Sequence, residues 1–429
     1  MFRPPLARGS LRALRAGTRR TTRAPLHALS FDGRTAARPS TGPWYSTRVD
    51  FEWSEDDARF RETLRDFLDA SLPSDWEELS KHGPGSDAQA AFSRSFCAKL
   101  AERGWLTQSW PREYGGADAT PWRHAILSEE MWARGEPRGS QYMNVNWIGP
   151  TIMKYGSEEQ KRLHLGRITR GDVLWCQGFS EPEAGSDLVA LRTLALRDGD
   201  DYVVNGSKIW TSYVNGAEFC FLLVRTDPAS SRHKGISVLL APMDAPGVSV
   251  REIPSVVGLR YFHELFFADA RIPVACRLGP EGEGWDVVSY ALAYERVGAM
   301  RYARAARTLD AIADHARRTG RLADPALQEK LGAARAAVEA ARLLSYRVID
   351  LRARGSQPTA DTNLARVAGT LCENAVSDLA LEVFGPDALE YGHFADAYFR
   401  LAMTAGVAVG TTEINLNLIA GRWLALPRE

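Results

Sequence analysis

Glu295 and the stretch from Gln177 to Ser212 carry the residue types that could do chemistry. Read as a helix beginning near Gly284, the chain sets Val288, Ala291, Leu292, Ala299 and Tyr302 on one apolar stripe with Glu295 among them, so its carboxylate is expected to face inward. A charge buried without a partner is costly, so such a group is expected to titrate above its ordinary range and to serve as a proton acceptor. The plainer alternative is that Glu295 pairs with an arginine and joins two helices. Upstream, Phe179-Ser180-Glu181-Pro182-Glu183-Ala184-Gly185-Ser186-Asp187 is a polar, turn-rich loop, and Asn205-Gly206-Ser207-Lys208-Ile209-Trp210-Thr211-Ser212 follows it. Asn205-Gly206 predicts a two-residue hairpin between Tyr202-Val203-Val204 and Ile209-Trp210-Thr211, because both turn positions need positive φ. Trp210 and Ser212, two residues apart on one strand, then share a face. A loop beside an indole and a hydroxyl suits a planar cofactor, although each piece alone also reads as a surface turn or a core strand.

The two motifs, their order and their spacing resemble the acyl-CoA dehydrogenase family, which oxidises acyl thioesters with FAD. That chemistry needs a base at Cα, a hydride acceptor at Cβ, which is flavin N5, and hydrogen bonds to the thioester carbonyl. In the family the base occupies one of two places. One is a Glu-Gly-Thr-like segment near the C-terminus, matched here by Val409-Gly410-Thr411-Thr412-Glu413-Ile414, where Val409 stands in the base position and cannot accept a proton. The other is the first long helix of the C-terminal domain, where Glu295-Arg296 matches the Glu-Arg of members that keep the base there. The resemblance therefore implies Glu295 as catalytic base and Arg296 near the CoA portion. It also implies Gln177, Phe179 and Ser180 on the strand that meets the flavin ring, Trp210 and Ser212 on the strand flanking it, and Ser186 against the acyl-CoA thioester arm. Thr411 and Glu413 stand at a helix start that suits the ribityl-phosphate end of FAD, or they simply cap that helix.

This chain departs from the family at two places. Arg317-Arg318-Thr319-Gly320-Arg321 stands where many members have Arg-x-Gln-Phe-Gly, and Glu382-Val383-Phe384-Gly385-Pro386 where they have Gln-x-x-Gly-Gly, so FAD contacts across a subunit interface are in doubt. Such losses look like the bacterial branch that handles unusual acyl groups, steroid side chains and dicarboxylic acids included, some of which share FAD in unlike-subunit assemblies. The expected function is FAD-dependent α,β-dehydrogenation of an acyl-CoA, with electron-transfer flavoprotein as acceptor and a homotetramer, homodimer or heterotetramer as the assembly. The alternatives are a flavin-dependent oxidase or monooxygenase on the same fold, and a catalytically silent partner subunit.

The elements that must position these residues follow from periodicity. Phe60, Leu64, Phe67 and Leu68 recur at helix spacing, as do Phe92, Phe96 and Leu100, whereas Tyr202–Val204, Phe219–Val224, Ile236–Ala241, Val248–Ile253 and Glu264–Phe267 read as short strands. Helical periodicity returns after Gly284. The order predicts an α+β protein with a small antiparallel sheet between helical regions, and the resemblance implies the same acyl-CoA dehydrogenase-like division: after a disordered Arg-rich tail (1–50), an N-terminal helical domain (51–171), a middle antiparallel β-domain (172–275) and a C-terminal four-helix bundle (284–429). The first fifty residues hold ten arginines against Asp32 and Asp50, a bias that also resembles a mitochondrial transit peptide; a cytoplasmic bacterial protein is the first expectation. With 53 basic and 53 acidic residues, net charge points to no nucleic acid. The five cysteines are odd in number and lack Cys-x-x-Cys spacing, which argues against a disulfide framework and a zinc site and for a reducing compartment. No run is apolar enough to span a bilayer, and neither a Gly-x-Gly-x-x-Gly fingerprint nor a Walker-type motif is present.

Overall fold

A computed structural model of the chain describes residues 53–81, 86–230, 232–298 and 300–427. The expected tail, 1–50, lies outside the described residues. The first helical block comprises α1 (Glu55–Ser71), α2 (Trp76–Lys81), α3 (Asp87–Glu102), α4 (Pro121–Ala133), α5 (Gln141–Met143), α6 (Gly149–Tyr155) and α7 (Glu158–Arg170). A π-helical turn, Asn144–Ile148, joins α5 to α6. Side-chain caps start α1, α3, α4 and α7. Ser54 accepts from the Asp57 amide, Ser86 from Gln89 and Thr120 from Arg123, while Ser157 and Gln160 form a reciprocal capping box at α7. The apolar stripe of α1 buries Phe60, Leu64, Phe67 and Leu68, each adding roughly 1.5–3 kcal/mol of burial.

The strands are β1 (Trp175–Gly178), β2 (Leu194–Asp198), β3 (Asp201–Ser212), β4 (Phe219–Arg225), β5 (Ile236–Pro242), β6 (Val248–Ser255), β7 (Gly258–Pro273) and β8 (Arg277–Leu278). They form one sheet in the order β6-β7-β3-β2-β4-β5-β8, with β1 beside β4. Most pairings are antiparallel; β1 and β2 each run parallel to β4. Continuous apolar sequence makes β4 central, because both of its faces are covered. Phe221 and Leu223 join the core shared with α1, α3, α4 and the next helix, whereas Cys220, Leu222 and Val224 pack under β3 and β7.

The C-terminal helices are α8 (Gly284–Gly298), α9 (Arg301–Arg318), α10 (Pro325–Ala353), α11 (Asp361–Phe384), α12 (Phe394–Ala402) and α13 (Thr412–Arg422). The breaks fall near the glycines and prolines at 320–325, 355–358 and 385–386, as expected. Helical block, sheet and helical bundle thus follow one another in the predicted α+β order. Glu129 ties the two helical blocks together: it pairs with Arg61 at 2.7 Å and accepts from the hydroxyls of Tyr302 at 2.7 Å and Tyr346 at 2.6 Å. Removing that carboxylate would strand two buried hydroxyls and leave Arg61 with Glu130 alone.

Two local expectations are corrected. Asn205-Gly206 is no hairpin turn, because β3 runs through it and the turn is Gly199-Asp200, between the paired residues Asp198 and Asp201. The Asn205 side chain exchanges hydrogen bonds with Asp269 on β7, and Gly206, at φ 145°, sits at a register shift where a Cβ would come within 2.7 Å of Thr193. Nor does one helix carry the whole stripe of Glu295. Helix α8 ends at Gly298, Met300 leaves the helical region at ψ 62°, and Tyr302 belongs to α9; Ala299 lies outside the described residues. Glu295 therefore stands one turn before the end of its helix.

Candidate active site

Glu295 sits half-buried on α8, whose Val287, Val288 and Ala291 are fully packed against the sheet core. Its Oε1 accepts a hydrogen bond from Gln177 Nε2 at 3.3 Å. The other end of the Gln177 amide is fixed, since Trp147 Nε1 donates to Gln177 Oε1 at 2.9 Å. An indole N–H can only donate, so it orients the amide with its NH2 toward the carboxylate. Trp147 reaches Gln177 from the π-helical turn, whose extra residue re-aims side chains that a regular helix would place elsewhere. The field of Glu295 also acts on Tyr142 and on Arg366. Burial, then repulsion from Arg301, pulls the Arg366 pKa down to about 9, with Glu373 and Glu295 opposing. Burial pushes the Tyr142 hydroxyl well above its usual range.

At the exit of β1, Phe179 is buried, with its ring 5.9 Å from that of Phe221, and the Ser180 carbonyl accepts from the Ile209 amide at 2.9 Å. Glu181 follows. Its carboxylate accepts from the amides of Arg192 at 2.6 Å and Thr193 at 2.8 Å and from Lys208 Nζ at 2.8 Å. Lys208, 0 % exposed, donates also to the Phe179 carbonyl at 3.1 Å. Burial pushes the Glu181 pKa up, but Lys208 and the Thr193 and Arg192 donors more than offset it, leaving it below the ordinary value. This pair clamps the loop onto β3, while Ser186 stays exposed beyond the Glu181–Ala184 turn.

Beyond Lys208 the register of β3 on β7 shifts, and Trp210 stands on the bulge at φ 62° with 55 % of its surface exposed. Phe262, the register partner of Ser212, lies edge-on to Trp210 at 5.9 Å. An exposed indole on a strained backbone needs a reason, and a planar ligand resting on that face is one.

Near the C-terminus, Val409 is held at φ 61°, a conformation unfavourable for a β-branched residue. The loop around it is pinned from α11 and α13: Arg366 donates to the Ala408 carbonyl at 2.8 Å, and Asn415 Nδ2 to those of Gly410 at 2.8 Å and Thr411 at 2.9 Å. The Thr411 hydroxyl accepts from the Ile414 amide at 3.3 Å as the cap of α13, and Glu413 is exposed in the first turn. Arg296 lies on α8 with its side chain outside the described residues.

The structure thus joins Glu295 directly to Gln177 on β1 and sets Phe179 and Ser180 in the segment that leaves that strand. Trp147, Glu181 and Lys208 were missed in the sequence. Lys208 could have been found as a cation on the inward register of a strand, and Glu181 as its nearest acid in the adjoining loop; Trp147 carried no local signal. Next to Glu295 on α8, Tyr290, Ala293 and Tyr294 line a partly open cavity of about 590 Å³, whose other walls come from α4, the π-helical turn, α6, α10 and the loops around Trp110 and Ser356. The five cysteines are free, and among the described residues no group of three or more His, Cys, Asp or Glu could hold a metal. No described helix is long and apolar enough to cross a membrane.

Family models for the acyl-CoA dehydrogenase N-terminal, middle and C-terminal domains match residues 54–172, 176–270 and 282–424. The acyl-CoA dehydrogenase IpdE1 of Mycobacterium tuberculosis (strain ATCC 25618 / H37Rv) is 34% identical over 386 residues, covering 87% of this chain and 99% of that protein. Among solved structures, the Tcur3481-Tcur3483 steroid ACAD is similar at 31% identity with a TM-score of 0.82, covering 89% of this chain and 100% of its own. The ChsE4-ChsE5 complex from Mycobacterium tuberculosis is similar at 32% identity and TM-score 0.79, with 89% and 100% covered.

Proposed function

The chain belongs to the acyl-CoA dehydrogenase family, and we propose that Glu295 is the base with which it removes the α-proton of an acyl-CoA thioester. The observation that carries this reading is the chain of hydrogen bonds Trp147–Gln177–Glu295, which holds one carboxylate beside the strand that leads to the flavin motifs. Geometry comes first in choosing a base, and Val409, at the other family position, has no group to offer. FAD is the proposed cofactor. The residues present fit it: exposed Trp210 beside Phe262 offers an aromatic wall, Ser212 a hydroxyl nearby on β3, and the segment after β1 that carries Phe179 and Ser180 is bonded to β3 through the Ser180 carbonyl and the Ile209 amide. When bound, the flavin supplies the acceptor for the β-hydride. Gln177 and Trp147 hold the Glu295 carboxylate in place, and the Glu181–Lys208 clamp keeps Phe179 and Ser180 in register.

Ser186 and Arg296 are proposed for the acyl-CoA arm and its CoA portion, and Thr411 and Glu413 for the polar end of FAD alongside the capping that Thr411 performs. A cytoplasmic location, reoxidation by an electron-transfer flavoprotein and assembly with like or sister subunits complete the proposal. The steroid ACAD and the ChsE4-ChsE5 complex are named as two-component assemblies, and exposed Leu389, Tyr391, Val407 and Leu424 agree with a protein surface that a partner covers.

The test is anaerobic titration of the purified yellow protein with a panel of acyl-CoAs, steroid side-chain thioesters included. At least one should bleach the oxidised flavin band, and turnover should consume no oxygen. Bleaching by none of them, or stoichiometric oxygen uptake, would defeat the dehydrogenase reading.

A further inference from the structure

The walls of the cavity beside α8 contain no Asp or Glu, and their fixed cations are Lys154 and Arg352. Arg352 is the unusual one. It comes from α10 into the interior, donates one hydrogen bond from Nη2 to the Ala293 carbonyl at 2.9 Å, and lies with Cζ 4.5 Å from the Tyr294 ring centroid. A guanidinium carries five N–H donors, and no carboxylate lies within ion-pair distance of this one among the described residues. It is partly buried and is one of the residues lining the cavity. Several of the chain's enclosed arginines are paired with acids, Arg61 with Glu129 and Glu130, Arg138 with Glu136, Arg301 and Arg304 with Glu373, whereas Arg366, like Arg352, is met by backbone carbonyls. A guanidinium left without an anion in such surroundings costs stability, and burial pulls the pKa of Arg352 below its usual value.

The other cation continues the pattern. Lys154 Nζ sits 4.1 Å from the Tyr290 ring centroid, and the Tyr290 and Tyr294 rings are 5.0 Å apart, so the wall runs cation, aromatic, aromatic, cation. Each cation thus rests on a ring face, which holds it without neutralising it. Alkyl chains would find no use for these charges. An anionic oxygen pair would accept a forked hydrogen bond from a planar guanidinium.

Resting on the reading of this chain as an acyl-CoA dehydrogenase, we propose that Arg352 is a specificity-determining residue that receives a carboxylate at the far end of the acyl group, so that the cavity selects CoA thioesters of dicarboxylic acids over alkyl ones. Tyr290 and Tyr294 flank the intervening hydrocarbon, and Lys154 supplements the positive field. The CoA phosphates are the other anions that could seek these cations, and the comparison below holds them constant.

The experiment is calorimetric binding rather than turnover. Mono-CoA thioesters of adipic, suberic and sebacic acid are compared with hexanoyl-, octanoyl- and decanoyl-CoA and with free CoA, on the purified flavin-loaded protein and on Arg352→Met and Arg352→Lys. The wild type should bind the best diacid thioester on the order of 10- to 100-fold more tightly than its alkyl counterpart, Arg352→Met should abolish that ratio, and Arg352→Lys should keep part of it. An alkyl thioester bound as tightly as the diacid by the wild type, free CoA bound as tightly as either, or a ratio untouched in Arg352→Met would overturn the assignment. Should Arg352→Met fail to fold, the lysine variant and the wild-type ratio still decide. Because binding is read directly, a protein that prefers the diacid but never reduces its flavin would keep Arg352 in this role and lose Glu295 from its own.

Discussion

Replacing Lys208 by Met tests how the loop that carries Phe179 and Ser180 is held. The substitution conserves length and removes the cation bound to Glu181, leaving the carboxylate with the Arg192 and Thr193 amides at 2.6 and 2.8 Å. Breaking a buried ion pair on one side costs about 3–5 kcal/mol, because the stranded charge keeps its desolvation penalty. Those two amides soften the loss, so about 3 kcal/mol is the expectation for Lys208→Met. Glu181→Gln combined with Lys208→Met removes both charges while retaining an oxygen for the amides, and should recover about half of that loss. Urea unfolding of the flavin-loaded protein, followed by tryptophan fluorescence for both single variants and the double, closes the cycle, and flavin lost on gel filtration reports the loop itself. The order of stability should be wild type, double variant, Lys208→Met, with the flavin held least firmly in the last. Single-variant losses that merely add in the double, or a Lys208→Met protein within 1 kcal/mol of wild type, would refute the clamp.

Two further outcomes follow from single contacts. Trp147→Phe removes the N–H that orients Gln177, so flavin reduction by acyl-CoA should slow about three- to tenfold with the protein still folded, as measured by stopped flow; an unchanged rate would remove Trp147 from the positioning of Glu295. His164 is buried against Trp175 and Phe219, and burial followed by the charge of Arg167 depresses its pKa from 6.5 to about 4. The unfolded chain therefore binds the proton more readily, and stability fully present above about pH 6.5 is lost as pH falls toward 4, at up to about 1.4 kcal/mol per pH unit. The urea midpoint of the wild type should drop between pH 7 and 5 by more than that of His164→Phe; parallel pH profiles would contradict this.

Much of the fold was legible because burial imposes period. The α1 stripe, the continuous apolar run of β4 and the glycine and proline breaks of the C-terminal helices each follow from a local rule, and the structure keeps them. Asn205-Gly206 was misread for the opposite reason. Its turn chemistry is real, but pairing with β7 lets Asn205 bond across the strands to Asp269 and converts the turn into a bulge. The stripe of Glu295 was read one turn too far because Gly298 sits where the period continues while the backbone does not. Within the site, Glu295 and Gln177 could be named singly. Their contact spans 118 positions, and nothing local encodes it. The same holds for Trp147, which acts only because a π-helical turn delivers it, and for Arg352, whose sequence neighbourhood is an ordinary helix end.

The central claim is that one carboxylate starts the reaction. Rapid anaerobic mixing of the flavin-loaded protein with an acyl-CoA that bleaches it, wild type against Glu295→Gln, tests this most directly. Glu295→Gln should still bind the thioester and retain its flavin, and should bleach at least a hundredfold more slowly, since glutamine cannot take the α-proton. Bleaching in the variant at a rate within about threefold of wild type would contradict the account.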